Sequence, residues 1–384
     1  MRFSASDDAV IPYGHHDIDE ADIAAVVGVL RGEWLTTGPA VEAFEQDLLS
    51  WTDQTPVVAV SSGTAALHTA YAAAELGPGD EVITPPLTFI ATQATTAALG
   101  ATIVFADVLQ DTANIDPAAV EALVTSRTKA IVAVDYAGHP ADFDELRAIA
   151  DRHGLLLIED AAHSLGSTYR GRAVGSLADI TAYSFFPTKN ITTAEGGAVA
   201  ARDPLILQRA REFARQGLIR EPRRHRIADE GPWHQEVQAF GLNYRLPDVL
   251  AALGSQQLRR LGRFKQVRET IKAAYDESFN DLPGVDVPSQ RSYVDPTWHL
   301  YPVRVPADRR RAIFEALRAA SIGTQVNYLP VYWHPVFADL GYKRGLCPHA
   351  EEFYSREISL PMHTGLGDDD RQAVIDKFRA TVLS

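Results

Sequence analysis

The chain lacks the features that mark several whole classes of protein. Among its 384 residues there is one cysteine, Cys347. No internal disulfide can form, which fits a reducing compartment. A basic excess is missing too: 36 Lys and Arg stand against 50 Asp and Glu, a net charge of −14. That balance argues against a nucleic-acid partner. The one local concentration of positive charge, Arg220–Arg226, reads either as a solvated loop or as a seat for an anionic ligand. No apolar run approaches the roughly 20 residues that cross a bilayer. Met1–Asp8 has no apolar core of a signal peptide. The expectation is a cytoplasmic protein with no membrane partner. There is no Gly-x-Ser-x-Gly elbow and no phosphate-binding P-loop, and neither internal repeats nor a low-complexity linker are visible. His15 and His16 are merely adjacent and the other histidines lack ligand spacing, so no metal site is expected.

What is present is an ordinary globular composition, 46% hydrophobic and 22% charged. The length exceeds what one core usually supports. Two unequal domains are expected, 1–282 and a smaller one at 283–384. Apolar runs at 57–60, 81–84, 102–106, 130–134, 155–158, 180–186 and 198–201 read as strands. Helical patterns lie between most of them: 65–76, a helix opened by Pro85–Phe89 and running to about 98, 117–124 and 142–153. Two helices precede the first strand, the first capped by Asp19. After the last strand come a helix at 204–216, a long loop at 217–240 and a helical stretch from Pro247 to about Leu282. The C-terminal part reads as strand 298–305, helix 309–320, strand 324–328, loop 329–348 and a helix over 369–382. Strands joined by helices of this length predict an α/β fold with a mostly parallel sheet covered on both faces. Ligands in such sheets bind beyond the carboxyl ends of the strands.

Several chemistry-bearing residues fall at those ends. Ser62-Gly63-Thr64 stands between a strand and a helix, where free amides and the helix dipole attract an anion. Simple helix capping uses the same residues. Phe89 follows the next strand; it can stack on a flat ring or pack in the core. Glu159-Asp160 ends the run Leu155–Ile158, and Ala161-Ala162-His163 follows. Asp160 is the better of the two acids for a ring, because small residues follow it. Lys189 stands just past the strand-like run that contains Ser184. An acid at one strand end and a lysine past the next suit pyridoxal 5'-phosphate. The lysine would form a Schiff base, and the acid would keep the pyridine nitrogen protonated. Burial would hold the lysine neutral.

Taken in order, the motifs Ser62–Leu67, Pro86–Phe89, Glu159–His163, Ser184-Phe185 with Lys189, Glu195–Gly197 and Gly241–Arg245 resemble the DegT/DnrJ/EryC1/StrS sugar aminotransferases. These are pyridoxal-phosphate enzymes of the aspartate-aminotransferase fold. The resemblance implies a role for each position. Lys189 would be the Schiff-base lysine and proton shuttle, and Asp160 the partner of the pyridine nitrogen. Phe89 and Ala162 would lie on the two ring faces, with His163 at the phenolic oxygen. Ser62, Gly63, Thr64 and Ser184 would hold the phosphate. Asn243 would reach the cofactor of a neighbouring subunit, making the active unit a homodimer. Within the family, Ile11–Tyr13, Asp17–Glu20, Leu35–Pro39, Gly231–Trp233 and Leu340–Gly345 are similar to UDP-4-amino-4,6-dideoxy-N-acetyl-β-L-altrosamine transaminases of pseudaminic acid biosynthesis. That likeness implies amino transfer from L-glutamate to C4 of a UDP-linked 4-keto-6-deoxy-N-acetylhexosamine. Tyr328, Tyr332 and His334 are the candidate substrate residues.

The chain departs from that group twice. Tyr332-Trp333-His334-Pro335 stands where the group carries His-Leu-Gln-Pro, and Ala214-Arg215-Gln216-Gly217 where the family carries Arg-x-His-Gly. Both departures lie where the sugar nucleotide is expected, so another keto-sugar nucleotide, aminated at C3 or C4, or an aminocyclitol is the alternative substrate. A sugar dehydratase on the same fold would replace the lysine, typically with histidine, and Lys189 argues against it. A non-catalytic homologue would have little use for the complete cofactor set.

Overall fold

Seven short runs rich in Val, Ile and Ala assemble into one central sheet. The structure, a computed structural model, describes residues 10–227 and 230–384; the N-terminal stretch Met1–Asp8 lies outside them. The strands are β1 Val57–Val60, β2 Glu81–Thr84, β3 Thr102–Phe105, β4 Thr128–Val134, β5 Leu156–Asp160, β6 Ile180–Ser184 and β7 Gly197–Ala201. Their order across the sheet is β1-β7-β6-β5-β4-β2-β3. The pairs from β6 to β3 are parallel. β7 runs antiparallel to both β6 and β1, so the sheet is mixed at one edge. β4 and β5 sit near the middle, and their carboxyl ends open on the same side.

The helices cover both faces. They are α1 Glu20–Leu30, α2 Pro39–Leu49, α3 Gly63–Ala73, α4 Ala91–Ala98, α5 Pro117–Leu123, α6 Phe143–His153, α7 Pro204–Phe213 and α8 Asp248–Phe279. Alternate strand residues feed two cores. Val57, Ile131 and Leu157 join Phe44, Leu48, Phe185 and Phe264 on one face. Val58, Val132, Ile158 and Val199 pack against the alanine-rich α3 and against Ile206 of α7 on the other. Burying each such aliphatic side chain contributes roughly 1.5–3 kcal/mol. The small side chains of α3 let it lie close to β6 and bring its N-terminus over the strand ends.

A third core belongs to the C-terminal part, with β8 Tyr301–Arg304, α9 Arg310–Ala319, α10 Pro335–Asp339, α11 Pro348–Arg356, β9 Glu357–Leu360 and α12 Asp368–Leu383. α8 contributes Leu258, Leu261 and Phe264 to the first core and Ile271, Tyr275 and Phe279 to the third. At about 1.5 Å per residue this helix is long enough to couple the two.

Several boundaries differ from the sequence reading, for local reasons. Pro85 and Pro86 cannot donate to a helical ladder, so α4 begins at Ala91 and Phe89 is left on the connection. β6 stops at Ser184, two residues short: Phe185 N–H still donates to Gly196 O at 2.8 Å, in register with β7, but the chain then turns, with Lys189 N–H donating to Phe186 O at 2.8 Å. Residues 324–328 are not a strand; they keep one bridge, Gln325 to Ser359. The expected loop to Pro348 carries α10, and α11 and β9 follow it. The stretch 217–240 holds a two-residue ladder between Leu218-Ile219 and Glu236-Val237. No helix among the described residues is long and apolar enough to cross a membrane.

The approach of the 297–299 segment to the strand ends is tight enough to test. Gly138 has φ +98°, and a Cβ there would stand 2.2 Å from Thr297 O. Gly138→Ala is expected to cost on the order of 1–3 kcal/mol through overpacking and strain. A thermal melt should show a clear drop in Tm; an unchanged Tm would contradict this packing.

Candidate active site

The carboxyl ends of β4, β5 and β6 and the N-termini of α3 and α4 enclose a cleft of about 540 Å³. Asp160 lies at its floor, 4% exposed. Its Oδ2 accepts from Thr92 Oγ1 at 2.7 Å and its Oδ1 from Ala162 N–H at 3.2 Å. Among the described residues no cation lies within ion-pairing distance of it. Burial therefore raises its carboxyl above the usual range, against the pull of those two donors and of Lys189. Glu159 points through to the other face. It is fully buried and accepts from Thr181 Oγ1 at 2.7 Å and Gly175 N–H at 3.0 Å. Burial pushes it up to about 7. The strand pleat thus separates the two adjacent acids and turns only Asp160 toward the cleft.

Lys189 also lines the cleft. Burial lowers its ammonium to about 8, with Asp160 pulling the other way. The next residue fixes its loop: Asn190 Nδ2 donates to His163 O at 2.9 Å and Leu165 O at 3.2 Å. The lysine loop is thereby tied to the turn that follows Asp160. His163 Nε2 lies 3.2 Å from Tyr328 Oη, and its Nδ1 is buried without a partner. Its ring stands 4.4 Å from that of His299, centroid to centroid. Burial and Lys189 keep His163 neutral by lowering it well below the usual histidine value.

Opposite these groups, Ser62 caps α3 through Ala65 N–H at 3.0 Å. A Cβ on Gly63 would meet Ser184 Cβ at 2.6 Å and Oγ at 2.7 Å. Only glycine lets the helix N-terminus close on the end of β6. With Thr64, these residues form a cradle of backbone amides and hydroxyls suited to a phosphate. Phe89 stands over the cleft, 58% exposed, and Ala162 lines it. The buried acid, the lysine with its lowered pKa, the anion cradle and the exposed ring together fit pyridoxal phosphate.

Not every sequence candidate comes to this cleft. Asn243 lies outside it, exposed, paired with Arg215 through a backbone bridge. Tyr332 is not available to a substrate: it is 1% exposed in the C-terminal core, and its hydroxyl donates to Glu351 Oε1 at 2.6 Å. His334 precedes α10 and is no part of the lining. Tyr328 is. The structure adds Thr92, His299, Tyr13, Gln325 and Asn327. Thr92 lies in the first turn of α4, three residues past Phe89, and that nearness to the strand end is the one sequence signal that could have found it. His299 and Asn327 reach the cleft only by tertiary folding and leave no local signal.

Residues 16–379 match the DegT/DnrJ/EryC1/StrS aminotransferase family. The spore coat polysaccharide biosynthesis protein SpsC of Bacillus subtilis is 39% identical over 378 residues, 97% of each chain. Among solved structures, the PLP form of Spr1654 from Streptococcus pneumoniae superposes with a TM-score of 0.91 at 31% identity, covering 97% of this chain and 99% of that one. Helicobacter pylori PseC, an aminotransferase of pseudaminic acid biosynthesis, gives 0.90 at 32%, covering 97% and 99%.

Two outcomes follow from the geometry. Gly63→Ala should weaken pyridoxal phosphate binding at least about tenfold, roughly 1.4 kcal/mol, in a titration of the visible absorbance; wild-type affinity would contradict the cradle. In cofactor-free protein, acylation of Lys189 should rise with pH and level off above about 8, because the neutral amine is the reactive form. A rise continuing to the ordinary lysine range near 10 would contradict the depressed value.

Proposed function

The chain belongs to the DegT/DnrJ/EryC1/StrS aminotransferase family, and from that premise we propose that it moves an amino group from L-glutamate to the 4-keto carbon of a UDP-linked 4-keto-6-deoxy-N-acetylhexosamine. One observation carries the chemical part: a buried Asp160 without a cation, in the same cleft as a lysine held partly neutral. Pyridoxal phosphate, when bound, supplies a carbonyl carbon for amines and a cationic ring that takes up electrons. Asp160 holds the proton on the ring nitrogen, and Thr92 and Ala162 N–H hold Asp160. Lys189 anchors the cofactor and then carries protons. Its Nζ lifts the proton from the donor's α-carbon and, in the second half-reaction, delivers one to C4 of the sugar. Phe89 and Ala162 would confine the ring, neutral His163 would offer its hydrogen bond to the phenolic oxygen, and Ser62, Gly63, Thr64 and Ser184 would hold the phosphate.

The wall formed by Tyr13, Gln325, Asn327 and Tyr328 offers phenol and amide groups, the donors and acceptors that hydroxyls and an N-acetyl group require. The likeness to PseC, an aminotransferase of pseudaminic acid biosynthesis, agrees with the substrate that the sequence motifs imply. Asn243 serves the site of a second copy in this reading, as its position outside its own cleft allows. The exposed Phe186, Trp233 and Phe240 supply apolar surface for such a homodimer. The single buried Cys347 suits a cytoplasmic enzyme. The departure at 214–217, where Ala214 and Arg215 line a second cavity with Arg220 and Arg224, supports a second reading, amination of another keto-sugar nucleotide at C3 or C4; the departure at 332–335 lies away from the cleft.

Borohydride treatment of the pyridoxal phosphate-loaded protein should fix the cofactor on Lys189, located by peptide mass spectrometry. In a separate sample without borohydride, glutamate should bleach the visible band. Lys189→Ala should lose the label and lower turnover by at least about 100-fold; a label on another lysine would overturn the assignment. A panel of 4-keto and 3-keto UDP-sugars should give product only with 4-keto-6-deoxy-N-acetylhexosamine. Product from the 3-keto sugars alone would select the second reading.

A further inference from the structure

Lys189 borders two cavities. One is the substrate cleft. The other, of about 10 Å³, lies among Lys189, Asn190, Gln257, Arg268, His16 and Thr364. That volume is close to one water-sized sphere, and a water settles only where it meets two or more polar partners.

The wall provides them. Arg268 is 2% exposed and has no carboxylate within ion-pairing distance among the described residues. Its Nη1 donates to Met362 O at 2.9 Å, Trp298 O at 3.2 Å and His299 O at 3.3 Å. Its Nε is buried with no acceptor. Asn190, 4% exposed, spends its Nδ2 on the backbone and leaves Oδ1 buried with no donor. An orphaned donor and an orphaned acceptor thus belong to two buried side chains around the same water-sized space. Buried polar atoms in native structures are nearly always paired, by protein or by ordered water. Gln257 does not fill the gap, because its Nε2 is committed to Asp17 O at 2.8 Å and Asp22 Oδ2 at 2.9 Å. His16, an exposed residue, also lines this space.

We propose that this is an ordered-water site through which Lys189 exchanges its proton with solvent on the side away from the cleft. The kinetic consequence rests on the aminotransferase reading; the water site does not. When donor or sugar fills the cleft, that route for proton exchange is closed. The small cavity stays available. A proton taken by Nζ from the donor's α-carbon passes to the water and on to bulk. A solvent proton returns to Nζ by the same path, so one proton leaves and one arrives with no redox change.

Two measurements decide it. A high-resolution crystal structure should show a solvent peak within hydrogen-bond reach of Arg268 Nε and Asn190 Oδ1; a well-ordered map without one overturns the proposal. With L-glutamate deuterated at the α-carbon, the loaded wild type should wash the label into water. Thr364→Leu, which fills the cavity, should slow washout several-fold while borohydride labelling of Lys189 is kept. Thr364→Val, nearly isosteric, should match wild type. Washout in Thr364→Leu as fast as wild type overturns the proposal. If glutamate neither bleaches the band nor exchanges, the donor assignment fails, and the solvent peak alone still decides the water site.

Discussion

A carboxyl group buried at the end of a central strand, with no cation of its own, is the constraint around which this molecule is built. Burying a charge is costly unless something compensates. Among the described residues two donors reach Asp160, the hydroxyl of Thr92 and the N–H of Ala162. Both depend on the fold: Thr92 needs α4 to start after the two prolines, and Ala162 needs the chain to turn directly after β5. The parallel order of β4, β5 and β6 then places Val134, Asp160 and Ser184 around one opening. Asn190 closes the arrangement by tying the lysine loop to the His163 turn. Each contact is ordinary; their convergence on one carboxyl group organises the site.

Electrostatically the cleft is unsettled without a ligand. Burial raises Asp160, lowers Lys189 and keeps His163 and His299 neutral. A ligand with a protonated ring nitrogen and a phosphate would answer both the buried acid and the amide cradle at Gly63. Such a ligand stabilises the native state by mass action. A lysine whose ammonium is lowered to about 8 is neutral more often than an ordinary lysine, and so more available both as nucleophile and as proton carrier. The departure from ordinary values is therefore both the cost of the site and its chemical capacity.

Most of the sheet was legible in the sequence because its strands are short continuous apolar runs with turn residues between them. The strand ends were legible for the same reason, and the pocket-forming residues Ser62 to Thr64, Phe89, Asp160, His163, Ser184 and Lys189 all lie at or just past them. Pattern failed where local cues conflict with tertiary pairing. β7 reads like any parallel strand, yet it runs antiparallel to β6. Residues 324–328 look like a strand but form a cleft wall. Tyr332 looks like a polar loop aromatic, yet Phe105 and Glu351 draw it into the core. His299, Asn327 and Arg268 carry no local signature, because their neighbours come from far along the chain.

If Asp160 keeps a proton on the ring nitrogen of bound pyridoxal phosphate, nitrogen-15 NMR of protein loaded with ring-labelled cofactor should report it. The expected result is a pyridinium shift in the wild type across neutral pH, and a change toward neutral pyridine in Asp160→Asn with the cofactor still on Lys189. A neutral pyridine signal in the wild type, or a pyridinium signal unchanged by the substitution, would contradict it.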